Sequence, residues 1–211
     1  GGGSLYFNKT KSIIEVINDI DEELMYHYYL IKKCSNQTEN SCEAIDRKYS
    51  IEELRELILT EPTNPNDELA IYIIKTCNTF NSFVKTKIYK TTNPYKKLQN
   101  IEKYKTRLEN TLILNKNYKD IIQEYDNPHT FFYLDPPYEL SNKDLYSHYQ
   151  VNYKELNDIL KNIKGKFVLS INDSEDIRSI FSGFFIKEIN VKNGNYNSHL
   201  FYGKKNPLEK R

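Results

Sequence analysis

The pattern of apolar and polar positions predicts strands that alternate with helices along most of the chain. Short runs rich in β-branched and aromatic residues predict strands at 13–19, 112–114, 131–134, 167–171, 184–191 and 200–202. Apolar residues at helical spacing predict helices at about 20–33, 51–59, 69–76, 119–125, within 146–163 and at 175–181. This alternation is typical of an α/β protein with a mostly parallel sheet, and the last two strands predict a closing hairpin.

One predicted strand ends in an unusual tetrapeptide. The wholly apolar and aromatic run at 131–134 predicts a strand that is buried on both faces. Asp135-Pro136-Pro137-Tyr138 follows, and the prolines must end the strand because they have no N–H for the sheet. The carboxyl ends of strands are where open α/β sheets bind ligands.

The chemistry of this tetrapeptide suits a planar ring that carries an amino group. The Asp135 carboxylate and the Pro136 carbonyl are acceptors for an exocyclic amino group, and Tyr138 offers a ring on which a base can stack. The alternative is a strand that ends in a Pro-Pro turn, with Asp135 as a helix cap.

The composition narrows the possible classes of protein. The 211 residues are enough for one large domain, or for one domain with an insertion. The net charge is only +1, so any surface that binds nucleic acid must be a local one. The three cysteines (Cys34, Cys42 and Cys77) have no metal-ligand spacing, so we interpret them as reduced structural thiols of a cytoplasmic protein. No apolar run approaches the ~18 residues of a membrane span. The histidines do not have the spacing of paired metal ligands, so we expect no metal.

The first residues of the chain are rich in glycine. Gly1-Gly2-Gly3-Ser4 fits either a flexible tag linker or the end of a glycine-rich cofactor loop. The apolar run that ends at Asp19 favours the cofactor loop, because an acid at the end of the next strand can accept hydrogen bonds from ribose hydroxyls. A helix cap is the ordinary alternative for Asp19.

A one-sided run of positive charge lies between residues 85 and 107. It contains Lys85, Lys87, Lys90, Lys96, Lys97, Lys103, Lys105 and Arg107, with Glu102 as its single acid. Lysine contacts to phosphate would give affinity for nucleic acid with little sequence choice, whereas a solvated protein face is the plain alternative.

Together these motifs resemble the Dam-like class of adenine-specific DNA methyltransferases. The N-terminal glycine segment resembles the end of that family's cofactor loop, residues 15–21 its second motif, and Asp135-Pro136-Pro137-Tyr138 its catalytic motif. The likeness continues at 165–173, in the strand after the catalytic one, and is weakest at 34–70. Residues 80–83 resemble a segment that faces the target base.

The resemblance implies a Rossmann-like fold, S-adenosylmethionine as cofactor and double-stranded DNA as substrate. The implied catalytic residues are Asp135, Pro136, Pro137 and Tyr138. The implied cofactor-binding residues are Gly1, Gly2, Gly3, Asp19, Ile20, Asn117 and Asp135, although the family usually has Asp where Asn117 stands. The implied DNA-binding residues are Phe80, Asn81, Lys85, Lys87, Lys90, Lys96 and Lys97. The expected organisation is a catalytic domain at 1–33 and 108–211, with a helical, basic insertion at 34–107 for target recognition.

The resemblance also leaves alternatives open. The family's upstream cofactor motif and central first strand have no counterpart here, so we expect a truncated chain or one part of a split enzyme whose missing strand an upstream polypeptide supplies. An inactive DNA-binding remnant, a methyltransferase for N4 of cytosine and one for a protein amide are the rival hypotheses. A cognate restriction endonuclease is a further expected partner, and the cytoplasm or the nucleoid is the expected location.

Overall fold

The computed structural model describes residues 3–34, 50–78, 101–137, 151–189 and 198–204, the last range by its backbone alone. It is a mixed α/β structure whose contacts divide it into two compact units, Gly1–Tyr118 and Lys119–Arg211. The described strands form a two-stranded sheet in the first unit and a four-stranded sheet in the second. The domain boundaries expected from the sequence remain a prediction.

The first unit combines a small parallel sheet with a cluster of helices. In chain order it contains α1 (Ser4–Asn8), β1 (Glu15–Asn18), α2 (Glu22–Lys33), α3 (Ile51–Leu59), α4 (Pro65–Asn78), α5 (Ile101–Leu108) and β2 (Thr111–Leu114). Strands β1 and β2 pair in parallel from Glu15 opposite Thr111 to Asn18 opposite Leu114. Their carboxyl ends therefore lie side by side.

The helices of the first unit bury two apolar clusters. Leu30 of α2, Leu69 of α4 and Ile101 of α5 pack together, and Leu54 of α3 packs against Ile74 of α4. Burial of such side chains contributes about 1.5–3 kcal/mol each, which holds α2 against α4 and α5.

The second unit packs helices on a sheet that ends in a hairpin. It contains α6 (Tyr118–Tyr125, of which the first residue belongs to the other unit), β3 (Phe131–Leu134), α7 (Tyr153–Asn162), β4 (Lys166–Asn172), α8 (Glu175–Ile180), β5 (Phe184–Ile189) and β6 (Ser198–Lys204). The strand order is β3-β4-β6-β5, with β3 parallel to β4 and β6 antiparallel to both of its neighbours. The expected closing hairpin is therefore confirmed.

Three details differ from the sequence-based expectations. Helix α4 begins at Pro65 and not near Leu69, because a proline fits the first turn of a helix, where its missing N–H has no partner to lose. Strand β1 begins at Glu15, and Ile13 and Ile14 before it are exposed. Strand β3 is buried on one face only: Phe132 is buried, whereas Phe131 and Tyr133 are 57% and 41% exposed. Alternate side chains of a strand point to opposite faces of the sheet, so Phe131 and Tyr133 share the exposed face and Phe132 lies on the other.

Candidate active site

The catalytic motif expected from the sequence lies at the carboxyl end of β3. Leu134 is the last residue of the strand and pairs with Leu169 of β4, and Asp135, Pro136 and Pro137 follow without regular structure. The Asp135 side chain is exposed. The prolines end the strand as their chemistry requires, and a carboxylate stands where parallel sheets present ligand-binding groups.

Two features of the second unit concern the surroundings of this motif, and the sequence analysis assigned a role to neither of them. Strand β4 continues three residues beyond its pairing with Leu134, and this extension contains two buried polar residues, Ser170 and Asn172. On the other side, the hydroxyl of Tyr153, at the start of α7, donates a hydrogen bond to the Pro137 carbonyl. Tyr153 lies 16 residues after Pro137, and the sequence carries no signal for this contact.

The predicted nucleoside-binding residues of the first unit lie in two adjacent loops. Asp19 and Ile20 follow β1, and Asn117 lies in the loop that follows β2. Two asparagines that the sequence analysis did not single out join these loops. The Asn18 side chain exchanges hydrogen bonds of 3.0 and 2.9 Å with the backbone of Lys116, and the Asn115 amide donates to the Asp19 carbonyl at 2.9 Å.

Asp19 is not the cap of the following helix. The residue that caps α2 is Asp21, whose carboxylate accepts a hydrogen bond from the Leu24 N–H at 3.1 Å. Asp19 accepts a 3.0 Å bond from the Asp21 N–H, and the next residue, Ile20, is 44% exposed. The helix-cap alternative for Asp19 is therefore excluded.

Gly3 is the described residue of the glycine segment, and its backbone requires glycine. Its φ is +65°, in the left-handed region, and a Cβ there would stand 2.7 Å from the Tyr28 hydroxyl and 2.9 Å from the Phe7 ring. The Tyr28 side chain is buried, and this burial, with a smaller contribution from the charge of Asp19, raises its pKa. Gly3 and Asp19 thus lie near the same tyrosine.

A buried charge network joins α1, β1 and the end of α5. Arg107 donates to both carboxylate oxygens of Glu15, to the Tyr6 carbonyl and to the Tyr6 hydroxyl, and the Lys9 ammonium also contacts Glu15. Burial by itself would raise the pKa of the Glu15 carboxyl. The hydrogen bonds from Arg107, Lys9 and the Ser12 N–H outweigh it and lower that pKa to about 2. The network fixes α1, the helix that follows the glycine segment, against β1, the strand that leads to Asp19.

This network corrects one expectation from the charge pattern. Arg107 was grouped with the lysines that could face DNA, but its side chain is only 12% exposed and is paired with Glu15. The partner lies 92 residues away in the sequence, so no local pattern reveals it.

Several predicted site residues fall outside the described ranges, and their roles stay predictions. They are Gly1, Gly2, Phe80, Asn81, Lys85, Lys87, Lys90, Lys96, Lys97 and Tyr138. Cys34 and Cys77, the two described cysteines, are buried and are not joined in a disulfide bond, which agrees with structural thiols.

Two further properties of the described residues concern metals and membranes. In these ranges, no group of three or more His, Cys, Asp or Glu side chains is arranged to hold a metal ion. None of the helices formed by the described residues combines the length and the apolar character needed to cross a membrane.

Comparison with known proteins gives two matches. Residues 1–195 match the family described as D12 class N6 adenine-specific DNA methyltransferase. A type II methyltransferase, M.CviBI, from Paramecium bursaria Chlorella virus NC1A is 31% identical over 94 residues. This second match covers 43% of the chain and 36% of the viral protein, so it spans about a third of the relative's length.

Proposed function

Because the chain belongs to the D12 class of N6 adenine-specific DNA methyltransferases, we propose that it transfers a methyl group from S-adenosylmethionine to N6 of adenine in double-stranded DNA. The observation that carries this proposal is the position of Asp135, Pro136 and Pro137 directly after β3. The side chain of Asp135 is exposed at this position.

The chemistry follows from what the motif can bind. The target base must leave the duplex, since its amino group is inaccessible within the stack. The Asp135 carboxylate and the Pro136 carbonyl then accept the hydrogens of the amino group, and Tyr138 stacks on the ring. S-adenosylmethionine, when bound, would supply an electrophilic methyl group for the N6 lone pair. Asp135 accepts the proton that N6 loses, and positioning accounts for most of the rate gain.

The residues of the first unit fit the nucleoside part of such a cofactor. The Asp19 carboxylate can accept hydrogen bonds from ribose hydroxyls, and the Asn117 amide can contact the adenine. Gly3 presents backbone without a side chain, and a Cβ there has no room.

If the Asp19 carboxylate binds the ribose, substitution of Asp19 by Asn should weaken cofactor binding by about tenfold, the cost of one charged hydrogen bond, as measured by titration calorimetry.

The main test is transfer of radiolabelled methyl from S-adenosylmethionine to duplex DNA, followed by digestion to nucleosides. We expect N6-methyladenine from the wild-type protein and a loss of at least about 10²-fold in D135A. The matched control is D120A, which removes an exposed carboxylate from α6 and should retain the activity. Label in N4-methylcytosine would identify the other base as the target, and undiminished methylation by D135A would refute the role of the motif.

The likeness to a type II methyltransferase supports a protective role beside a restriction endonuclease. In that case DNA that the protein has methylated should resist cleavage by an endonuclease with the same recognition sequence.

A further inference from the structure

We propose that Tyr153 is a positioning residue for the catalytic motif, because its hydroxyl holds the Pro137 carbonyl and so fixes the segment that presents Asp135. This inference rests on the proposed methyltransferase function, in which Asp135 and the Pro136 carbonyl hold the target amino group. Tyr153 would act through the backbone of the motif and would not touch the substrate.

The Tyr153 hydroxyl is a donor with a fixed position. Tyr153 is the first residue of α7, and the Asn152 side chain caps this helix by accepting the Glu155 N–H at 3.2 Å. One and two turns further along the helix, Leu156 and Leu160 are only 2% and 0% exposed. The start of the helix therefore cannot move without breaking the cap or exposing the core of the second unit.

The Pro137 carbonyl is the group through which this part of the chain can be held. Pro136 and Pro137 have no N–H, so the backbone of these two residues can accept hydrogen bonds through its carbonyls but cannot donate any. The Pro136 carbonyl is assigned to the substrate, which leaves the Pro137 carbonyl as the anchor. Residues 135–137 are then held at one end by the pairing of Leu134 with Leu169 and at the other by Tyr153.

The fixed dihedral angles of the prolines make this second anchor effective. Their rings lock φ at two successive residues, so the segment between the anchors has few remaining rotations. Loss of the hydroxyl would free the far end of the segment and allow Asp135 to leave the geometry that the reaction requires.

The kinetic test is the substitution Tyr153→Phe, which removes the hydroxyl and keeps the ring. We expect kcat to fall about tenfold, less than the roughly 10²-fold loss that accompanies a misplacement of about 1 Å. KM for S-adenosylmethionine and for DNA should stay within about twofold, because a positioning residue affects the transition state more than ground-state binding. Tyr29→Phe is the matched control, since Tyr29 is an exposed tyrosine on α2.

A second test measures the hydrogen bond itself and does not depend on activity. Protein labelled with carbonyl-¹³C proline and ¹⁵N tyrosine gives carbonyl–nitrogen correlations only at Pro–Tyr junctions, and the sequence has two of these, Pro94-Tyr95 and Pro137-Tyr138. A Tyr95→Phe variant assigns the two signals. We expect Tyr153→Phe to shift the Pro137 carbonyl signal and to leave the Pro94 signal in place.

The two tests separate the possible failures. An unchanged Pro137 signal in Tyr153→Phe would refute the hydrogen bond, and a shifted signal with unchanged kcat would refute the positioning role. If the wild-type protein transfers no methyl group at all, the proposed function fails and the positioning role fails with it. Equal losses of kcat in Tyr153→Phe and Tyr29→Phe would show a general effect of removing a hydroxyl, and would likewise overturn the inference.

Discussion

Gly165 lies where two loops of the second unit meet, and a larger residue does not fit there. A Cβ at this position would stand 2.6 Å from the Thr130 carbonyl oxygen and 3.0 Å from that of Asn127. The Asp126 carboxylate accepts the Gly165 N–H at 2.9 Å, which prevents the loop from moving away. We therefore expect Gly165→Ala to lower the free energy of unfolding by about 1–3 kcal/mol, as measured by urea denaturation.

Gly183 provides the matched control for this substitution. Among the described residues, no atom outside its chain neighbours lies within 4 Å of where its Cβ would stand. Gly183→Ala should therefore change the free energy of unfolding by less than about 1 kcal/mol. Equal effects of the two substitutions would mean that the close contact at Gly165 carries no cost.

Glu15 should make the stability of the first unit depend on acid pH. Its folded pKa of about 2 lies below the ordinary value of 4.5, so its stabilising effect is complete above pH 4.5 and is lost as the pH falls toward 2. Glu15→Gln should cost on the order of 3 kcal/mol near pH 7, because Arg107 loses its buried partner.

The pH dependence separates the charge of Glu15 from its shape. Protonated glutamic acid and glutamine have nearly the same shape, so the difference in unfolding free energy between the wild-type protein and Glu15→Gln should narrow toward pH 2. Denaturant melts at several pH values measure this difference. A constant difference would show that the ion pair contributes nothing beyond packing.

At the scale of helices, the contact between α2 and α4 contains a buried histidine. The His27 ring stacks on Tyr72 with centroids 3.5 Å apart, and its Nδ1 lies 2.6 Å from the Glu23 carbonyl oxygen. Burial lowers the pKa of His27; Lys75 adds to this effect, and the Glu23 carbonyl and the charges of Glu23 and Glu68 oppose it. The neutral form is therefore the one that the folded protein prefers.

This histidine should reduce stability as the solution becomes mildly acidic. Because its folded pKa lies below the unfolded value of 6.5, its full contribution is present above that pH and declines as the pH falls below it. We expect Tm to decrease between pH 7 and pH 5.5 and to decrease less in His27→Gln. The comparison variant His129→Gln removes an exposed histidine in place of the buried one. A wild-type slope in His27→Gln would exclude His27 as its source.

The sequence predicts elements well where the local signals agree. Helix α3 has the predicted bounds because Ser50 and Glu53 form a reciprocal capping box ahead of a periodic apolar face. The start of α4 was missed because Pro65 can either end a helix or begin one. The run at 131–134 predicts a strand but not which of its two faces is covered, so the exposure of Phe131 and Tyr133 could not be foreseen.

The candidate site shows the same limit more clearly. The catalytic motif is local, and its place after a strand follows from the two prolines. Within the first unit, the contacts that hold the predicted nucleoside-binding loops and the strand before them join residues far apart in the chain: Asn18 with Lys116 and Arg107 with Glu15. Such pairs depend on the packing of whole elements, and a single sequence carries no pattern for them.

At the scale of the whole molecule, the balance of charge limits where DNA can bind. The net charge is only +1, so attraction to phosphate must come from a local surface, and the proposed surface is the basic run that begins at Lys85. Arg107 belongs to the sequence of this run but is paired with Glu15, and the Lys105 ammonium lies 3.6 Å from Glu102. Lys103 of this run is exposed, and it remains a candidate for phosphate contacts together with the lysines before residue 100.

We expect the double substitution Lys96→Ala and Lys97→Ala to weaken DNA binding and to reduce its dependence on salt. Each phosphate contact contributes about 0.9 to the slope of log K against log salt concentration, so the loss of two should lower the slope by about 2. Fluorescence anisotropy with labelled duplexes at several salt concentrations measures this slope, and the loss should be similar for unrelated DNA sequences because phosphate contacts carry no sequence choice. The control Lys154→Ala with Lys161→Ala removes the same charge from α7 and should leave the slope unchanged. If both double variants lower the slope equally, only total charge matters, and the basic run is then an ordinary solvated face.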